Sequence, residues 1–179
     1  MLEELEVLRL VSERLESAGV PFMLTGSFAM AFYAKPRMTR DLDLVVEMVE
    51  TDVDGIVNAM SPEFYIDADD VRSAILSQRL FNLMHNSTGV KVDLIVRKNT
   101  KYRQLEFARR RLVEMAAVKT WIVSREDLIL SKLVWSQESA SDLQRRDVKT
   151  LLDAAVDQEY LKHWAEELNV LRSLEEIAG

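Results

Sequence analysis

Asp41-Leu42-Asp43-Leu44-Val45-Val46 sets two carboxylates two residues apart in an otherwise apolar run. Successive side chains of a strand point to opposite faces, so Asp41 and Asp43 stand on one face, about 6.6 Å apart along the strand, with the leucines on the other. Two carboxylates about 4 Å apart repel by on the order of 4 kcal/mol at an effective dielectric near 20. A divalent cation between them removes that cost, and Mg²⁺, with oxygen ligands at about 2.1 Å, suits such a pair.

Outward from this run, Val90-Lys91-Val92-Asp93-Leu94-Ile95-Val96 carries one more acid in an apolar strand, where an unpartnered carboxylate is costly. If the two strands lie side by side, Asp41, Asp43 and Asp93 converge into the kind of carboxylate cluster that holds two metal ions for in-line phosphoryl transfer. Taken singly, the acids have structural uses too: Asp41 can cap a turn, and Asp93 can pair with Arg40 or Lys91. Upstream, Val20 to Leu24 reads as a buried strand and Phe28 to Ala34 as a helix ending near Pro36. Between them the Thr25-Gly26-Ser27 turn offers free backbone amides, close approach at glycine and a hydroxyl donor, all suited to an anion.

A strand, Gly26-Ser27, thirteen residues, Asp41-Leu42-Asp43-Leu44 and later Val92-Asp93-Leu94 resemble the signature of the DNA polymerase β-like nucleotidyltransferase superfamily. The match covers roughly the first hundred residues. The resemblance implies that Gly26 and Ser27 hold a nucleotide triphosphate and that Asp41 and Asp43 bind two Mg²⁺ ions, or Mn²⁺. It gives Asp93 the third place in the metal site and the activation of an acceptor hydroxyl. Ser124 to Leu133, which includes Lys132, and Arg145-Arg146-Asp147-Val148 are similar to second-lobe motifs of abortive-infection and toxin-antitoxin nucleotidyltransferases. Lys132 lies one turn from Leu128 and Trp135, and Asp147 shares a face with Leu143 and Leu151. The pair can either tie two helices together or present Lys132 to nucleotide phosphates with Asp147 steadying it. Arg40, with Lys35 and Arg37, is a further candidate for the triphosphate path.

The expected element order is a helix over 2–18 ended by Gly19 and Pro21, the strand, helix and strand just described, a helix near 52–60, and a hairpin of 79–85 with 90–97. Two short strands at 110–114 and 118–123 follow, then helices over 125–137, 141–155 and 158–169, the first capped by Ser124. This is an α/β (α+β) chain: a mixed nucleotidyltransferase-type sheet with helices on one side, and a C-terminal helical lobe. Residues 1–100 are assigned to the catalytic core and 101–179 to the hairpin and helical lobe.

Among 179 residues there is no cysteine and there are only two histidines, His85 and His163, so metal chemistry must rest on oxygen ligands. An acidic N-terminus and the lack of any membrane-length apolar run make a cytoplasmic protein the expectation. The net charge of −7 is uneven: 91–119 holds nine Lys and Arg against three acids. Read as a basic hairpin leading away from Asp93, that segment could bind a polyanion. Trp121, Trp135 and Trp164 are expected in the core.

The expected function is transfer of a nucleoside monophosphate from an NTP to an acceptor hydroxyl. The resemblance to toxin-type members implies an RNA acceptor, such as the end of a tRNA, and a neutralising partner protein. The alternatives are nucleotidylation of a protein or of a small molecule such as an aminoglycoside, and a nucleotide-binding regulatory module without turnover.

Overall fold

The computed structural model describes residues 2–34, 39–139 and 141–179. Helix α1, Leu2–Ser17, buries Val7, Leu8, Val11 and Leu15 along one stripe. Gly19, at φ +68°, ends it with the Val20 N–H returning to the Leu15 carbonyl. Strand β1, Phe22–Thr25, runs directly into helix α2, Gly26–Tyr33. Pro36, expected to stop that helix, and the candidate loop cations Lys35 and Arg37 lie outside the described residues. Strand β2 is Leu42–Val46, α3 is Val53–Met60, β3 is Phe64–Tyr65 and α4 is Ala68–Ser77. The hairpin strands are β4, Leu80–His85, and β5, Lys91–Val96.

Helix α5, Lys101–Ala108, then leads to strands β6, Arg111–Met115, and β7, Val118–Ile122. Four helices finish the chain: α6, Arg125–Ser139, α7, Asp142–Leu152, α8, Gln158–Glu167, and α9, Leu171–Ala178. Helices α4, α5 and α9 go beyond the sequence reading. Ser124 caps α6 as expected, its hydroxyl accepting the Asp127 N–H at 3.1 Å and donating to the Asp127 carboxylate at 2.5 Å.

Among the described residues the strands form one mixed sheet in the order β3-β4-β5-β2-β1-β7-β6. Strand β2 is antiparallel to β1 and parallel to β5, and β1 is parallel to β7. The sheet therefore continues across residue 100, because the β6–β7 hairpin is bonded into it beside β1. One face carries Leu42, Leu44, Val92 and Leu94, all fully buried. Helix α1 lies on that face, where the Ser12 and Thr120 hydroxyls meet at 3.0 Å. The opposite face carries Asp43 and Asp93, with Gly26 of α2 against Asp43. Helices thus lie on both faces, not on one: α1 covers the face of Leu42 and Leu44, and α2, which continues directly from β1, lies against Asp43 on the other.

Helix α6 buries Leu128, Ile129, Lys132, Leu133 and Ser136. Trp135 falls at the edge of that stripe and is 48% exposed, contrary to its expected place in the core; Trp164 is buried. Fully buried Asp127 joins α5, α6 and α8, accepting from Tyr102 at 3.2 Å, Tyr160 at 2.6 Å and Arg109 at 3.0 Å. Nearby, buried Glu106 accepts from Arg103 and from Ser131, both at 2.7 Å. No described helix is long and apolar enough to cross a membrane.

Candidate active site

Cross-strand register brings the acids together. Asp43 of β2 is the direct neighbour of Asp93 in parallel β5, and Thr25 of β1 faces Asp43 from the other side. Adjacent strands lie about 4.8 Å apart, and in-register residues share a face, so the two carboxylates are side by side. The alternation of apolar and polar residues in both runs sets the face: burying Leu42, Leu44, Val92 and Leu94 puts Asp43 and Asp93 on the opposite side together, and the strand pairing then sets them side by side. Asp41 sits one residue before β2 and is exposed, so it belongs to the strand's entry and not to the strand itself.

Burial first, then the charges of Asp93 and Asp41, push the Asp43 carboxyl up to about 6, against the opposing fields of Lys132 and Lys91. The cluster is thus electrostatically strained and cation-seeking, with oxygen donors of the type that suits Mg²⁺. The side chains do not stand as a finished ligand set: among the described residues no three His, Asp or Glu are grouped to hold an ion. Asp93 is held by neighbouring side chains. Its carboxylate takes the Lys91 ammonium at 2.9 and 3.0 Å and a short hydrogen bond from the Asn82 amide. Pairing with Lys91 was one of the structural uses open to Asp93 in the sequence.

Asn82 was not singled out from the sequence, yet a signal existed. A loop over 86–89 makes residue 82 the partner of residue 93, and the strand pairing is Asn82 to Asp93. Asn82 is also the polar residue between Leu80 and Met84 on the exposed face of β4.

Gly26 begins α2 at φ +67°, and a methyl group in place of its hydrogen would overlap the Asp43 carboxylate. Glycine is therefore required here twice, for the backbone angle and for the close approach of the second acid. The N-terminus of α2, where Ser27 is partly buried, lies against Asp43. Arg40 is exposed immediately before Asp41.

Lys132 and Asp147 form a buried ion pair at 2.6 Å, with the ammonium also on Gln144 Oε1 at 3.0 Å. They tie α6 to α7. The Lys132 side chain is 2% exposed, so a phosphate could reach it only if the pair opened. Its field is felt by Asp43. On α7, Leu151 is buried beside Asp147, whereas Leu143 is 46% exposed.

The basic segment is not one hairpin. Lys91 is on β5, helix α5 intervenes, and the β6–β7 hairpin lies beyond β2 and β1. Its arginines are largely engaged: Arg97 with Glu47, Arg103 with Glu106, Arg109 with Asp127 and Glu126, Arg111 with the Tyr33 hydroxyl. Arg110 stacks on Phe107 and Trp121. The cations of 91–119 therefore lie on several elements and do not line one hairpin.

No protein-family model and no curated protein matches the chain. Solved structures do. An antigenic nucleotidyltransferase-like protein from Paracoccidioides brasiliensis superposes with a TM-score of 0.59 at 17% identity, covering 98% of this chain and 92% of its own. ANT(2'')-Ia, in complex with adenylyl-2''-tobramycin, has a TM-score of 0.58 at 12% identity over 99% of both chains. The lincosamide antibiotic adenylyltransferase LnuA, lincomycin-bound, has a TM-score of 0.51 at 13% identity, covering 77% of this chain and 89% of its own. At these identities the likeness is one of architecture, and this chain has the nucleotidyltransferase fold.

Proposed function

We propose that this protein is a metal-dependent nucleotidyltransferase that moves a nucleoside monophosphate from an NTP to a hydroxyl group. The observation that carries the reading is the register of Asp43 with Asp93 on parallel strands, with Asp41 at the entry of β2 and the Gly26 turn against Asp43. In the reaction the acceptor oxygen bonds to the α-phosphorus, the bond to the bridging oxygen breaks, and pyrophosphate leaves. Asp93 takes the hydroxyl proton. Mg²⁺ or Mn²⁺ bound by Asp41, Asp43 and Asp93 would supply charge neutralisation at the phosphates and acidify the acceptor hydroxyl. Gly26, Ser27 and the first amides of α2 receive the triphosphate, with Arg40 at its edge. Lys132 acts from behind the site: paired with Asp147, it anchors α6 to α7 and favours the ionised form of Asp43.

For the acceptor, a small hydroxyl compound is the better-supported reading. An RNA acceptor calls for a continuous basic track, whereas the cations of that segment are dispersed and four of them, Lys91, Arg97, Arg103 and Arg109, are ion-paired. Two of the structural neighbours are, by name, adenylyltransferases or adenylyl-product complexes of small antibiotics. A toxin role and a neutralising partner belong with RNA and stand or fall with it.

The deciding experiment incubates the protein with each α-labelled NTP, Mg²⁺ and fractionated cell extract. A labelled small molecule, absent with Asp43→Asn, is the expected outcome. Labelled RNA or protein would move the acceptor to that class. NTP binding by calorimetry with no labelled product in any fraction would leave a nucleotide-binding module.

A further inference from the structure

Lys91 stands out because it is a cation inside the carboxylate cluster. Its ammonium contacts both oxygens of Asp93, and Asp41 and Asp43 raise its proton affinity after Asp93. It lies two residues before Asp93 on β5 and so on the same face. Its side chain is 38% exposed, so little packing holds the ammonium where it is. Asn82, across the strand, also binds the Asp93 carboxylate. Asp93 is therefore oriented by Asn82 and neutralised by Lys91.

We infer that Lys91 is a displaceable counter-ion: it occupies Asp93 in the free protein and transfers to the phosphates of an incoming nucleoside triphosphate, releasing Asp93 for metal and acceptor. The inference rests on the function proposed above and adds to it an order of assembly. A polyphosphate bears more negative charge than one carboxylate, and the lysine stem has the rotamer freedom to swing from one to the other. Because the ammonium and the metal compete for Asp93, the free protein binds metal weakly. Nucleotide removes the competitor, so nucleotide and metal bind with positive coupling, and the coupling is reciprocal.

The test titrates Mn²⁺ into the protein, following free Mn²⁺ by its electron paramagnetic resonance signal. Titrations are run alone and with α,β-methylene analogues of the four NTPs, in which the bond broken by transfer cannot break. Wild type is compared with Lys91→Met and Lys91→Arg, and thermal melts check that each variant is folded. In wild type, an analogue should tighten Mn²⁺ binding about tenfold or more, within the range usual for coupled sites. Lys91→Met should bind Mn²⁺ more tightly than wild type without nucleotide, lose most of the coupling and bind the analogue more weakly. Lys91→Arg, which keeps the charge, should remain weak for Mn²⁺ alone. If Lys91→Met binds Mn²⁺ alone no more tightly than wild type, the counter-ion role is overturned while the metal site stands. If neither protein binds Mn²⁺ with any analogue, the proposed function fails and this inference with it.

Discussion

At the scale of single residues, Asp43 is where folding and function oppose each other most directly. Its carboxyl is raised from 3.8 to about 6, chiefly by burial. Between those values the folded chain holds a proton that the unfolded chain has released. This carboxyl's contribution is therefore present at low pH and lost as pH rises through about 6. The loss is on the order of 3 kcal/mol. In chelator at pH 8, Asp43→Asn should accordingly melt several degrees above wild type, and the gap should close at pH 4. Equal melting temperatures at pH 8, or a gap that persists at pH 4, would show that the acid is not strained. The same variant should lose nucleotidyl transfer. Gly26→Ala tests the other side of that contact. Its positive φ alone costs about 1–2 kcal/mol for a residue with a Cβ, and the overlap with the Asp43 carboxylate adds to it. Lower stability together with lost NTP binding is expected, measured by melting and calorimetry.

At the scale of elements, the junction of α6 and α7 rests on the buried pair Lys132–Asp147. Breaking a buried ion pair by removing one member costs about 3–5 kcal/mol. Lys132→Ala should therefore lower the melting temperature by roughly 10 °C. If Lys132 acts through the fold, NTP affinity should change little at a temperature where the variant is fully folded. A selective loss of nucleotide affinity with unchanged melting would instead place the lysine on the phosphates. The arginine run divides by element in the same way. Arg109 ends α5 and binds fully buried Asp127, so Arg109→Gln should cost about 1–3 kcal/mol. Arg111, on the edge strand β6, meets only the Tyr33 hydroxyl and ring among the described contacts, and Arg111→Gln should stay within about 0.5 kcal/mol. Denaturant titration of the two variants separates the cases.

At the scale of the whole molecule, the charge distribution decides what the open side of the site can accept. The cations of 91–119 are divided between β5, α5 and the β6–β7 hairpin, with β2 and β1 between β5 and that hairpin, and Arg97 and Arg109 are bound to acids of other elements. A single-stranded polyanion making three or four phosphate contacts would give a log-log salt slope near −2 to −3. The acceptor KM should instead be nearly flat between 50 and 300 mM salt. A steep slope would restore a nucleic-acid acceptor and, with it, the toxin reading.

The sequence by itself determined the central strands, the turn at Gly26 and the face on which the acids lie. Each of these follows from period-two alternation and local backbone chemistry, which neighbouring residues carry. It also indicated an N-cap at Ser124, where the hydroxyl and the acid are three residues apart. Helix α5 was not legible, because Lys101–Ala108 mixes charged and apolar residues and draws its stability from Asp127 and Ser131, which are remote in sequence. Only the tertiary structure decided that Asp93 is shared with Lys91 and Asn82, that Lys132 is sealed against Asp147, and that the basic segment is scattered. Those outcomes depend on which strands and helices become neighbours, and charge pairing over such distances in the chain leaves no periodic trace in the sequence.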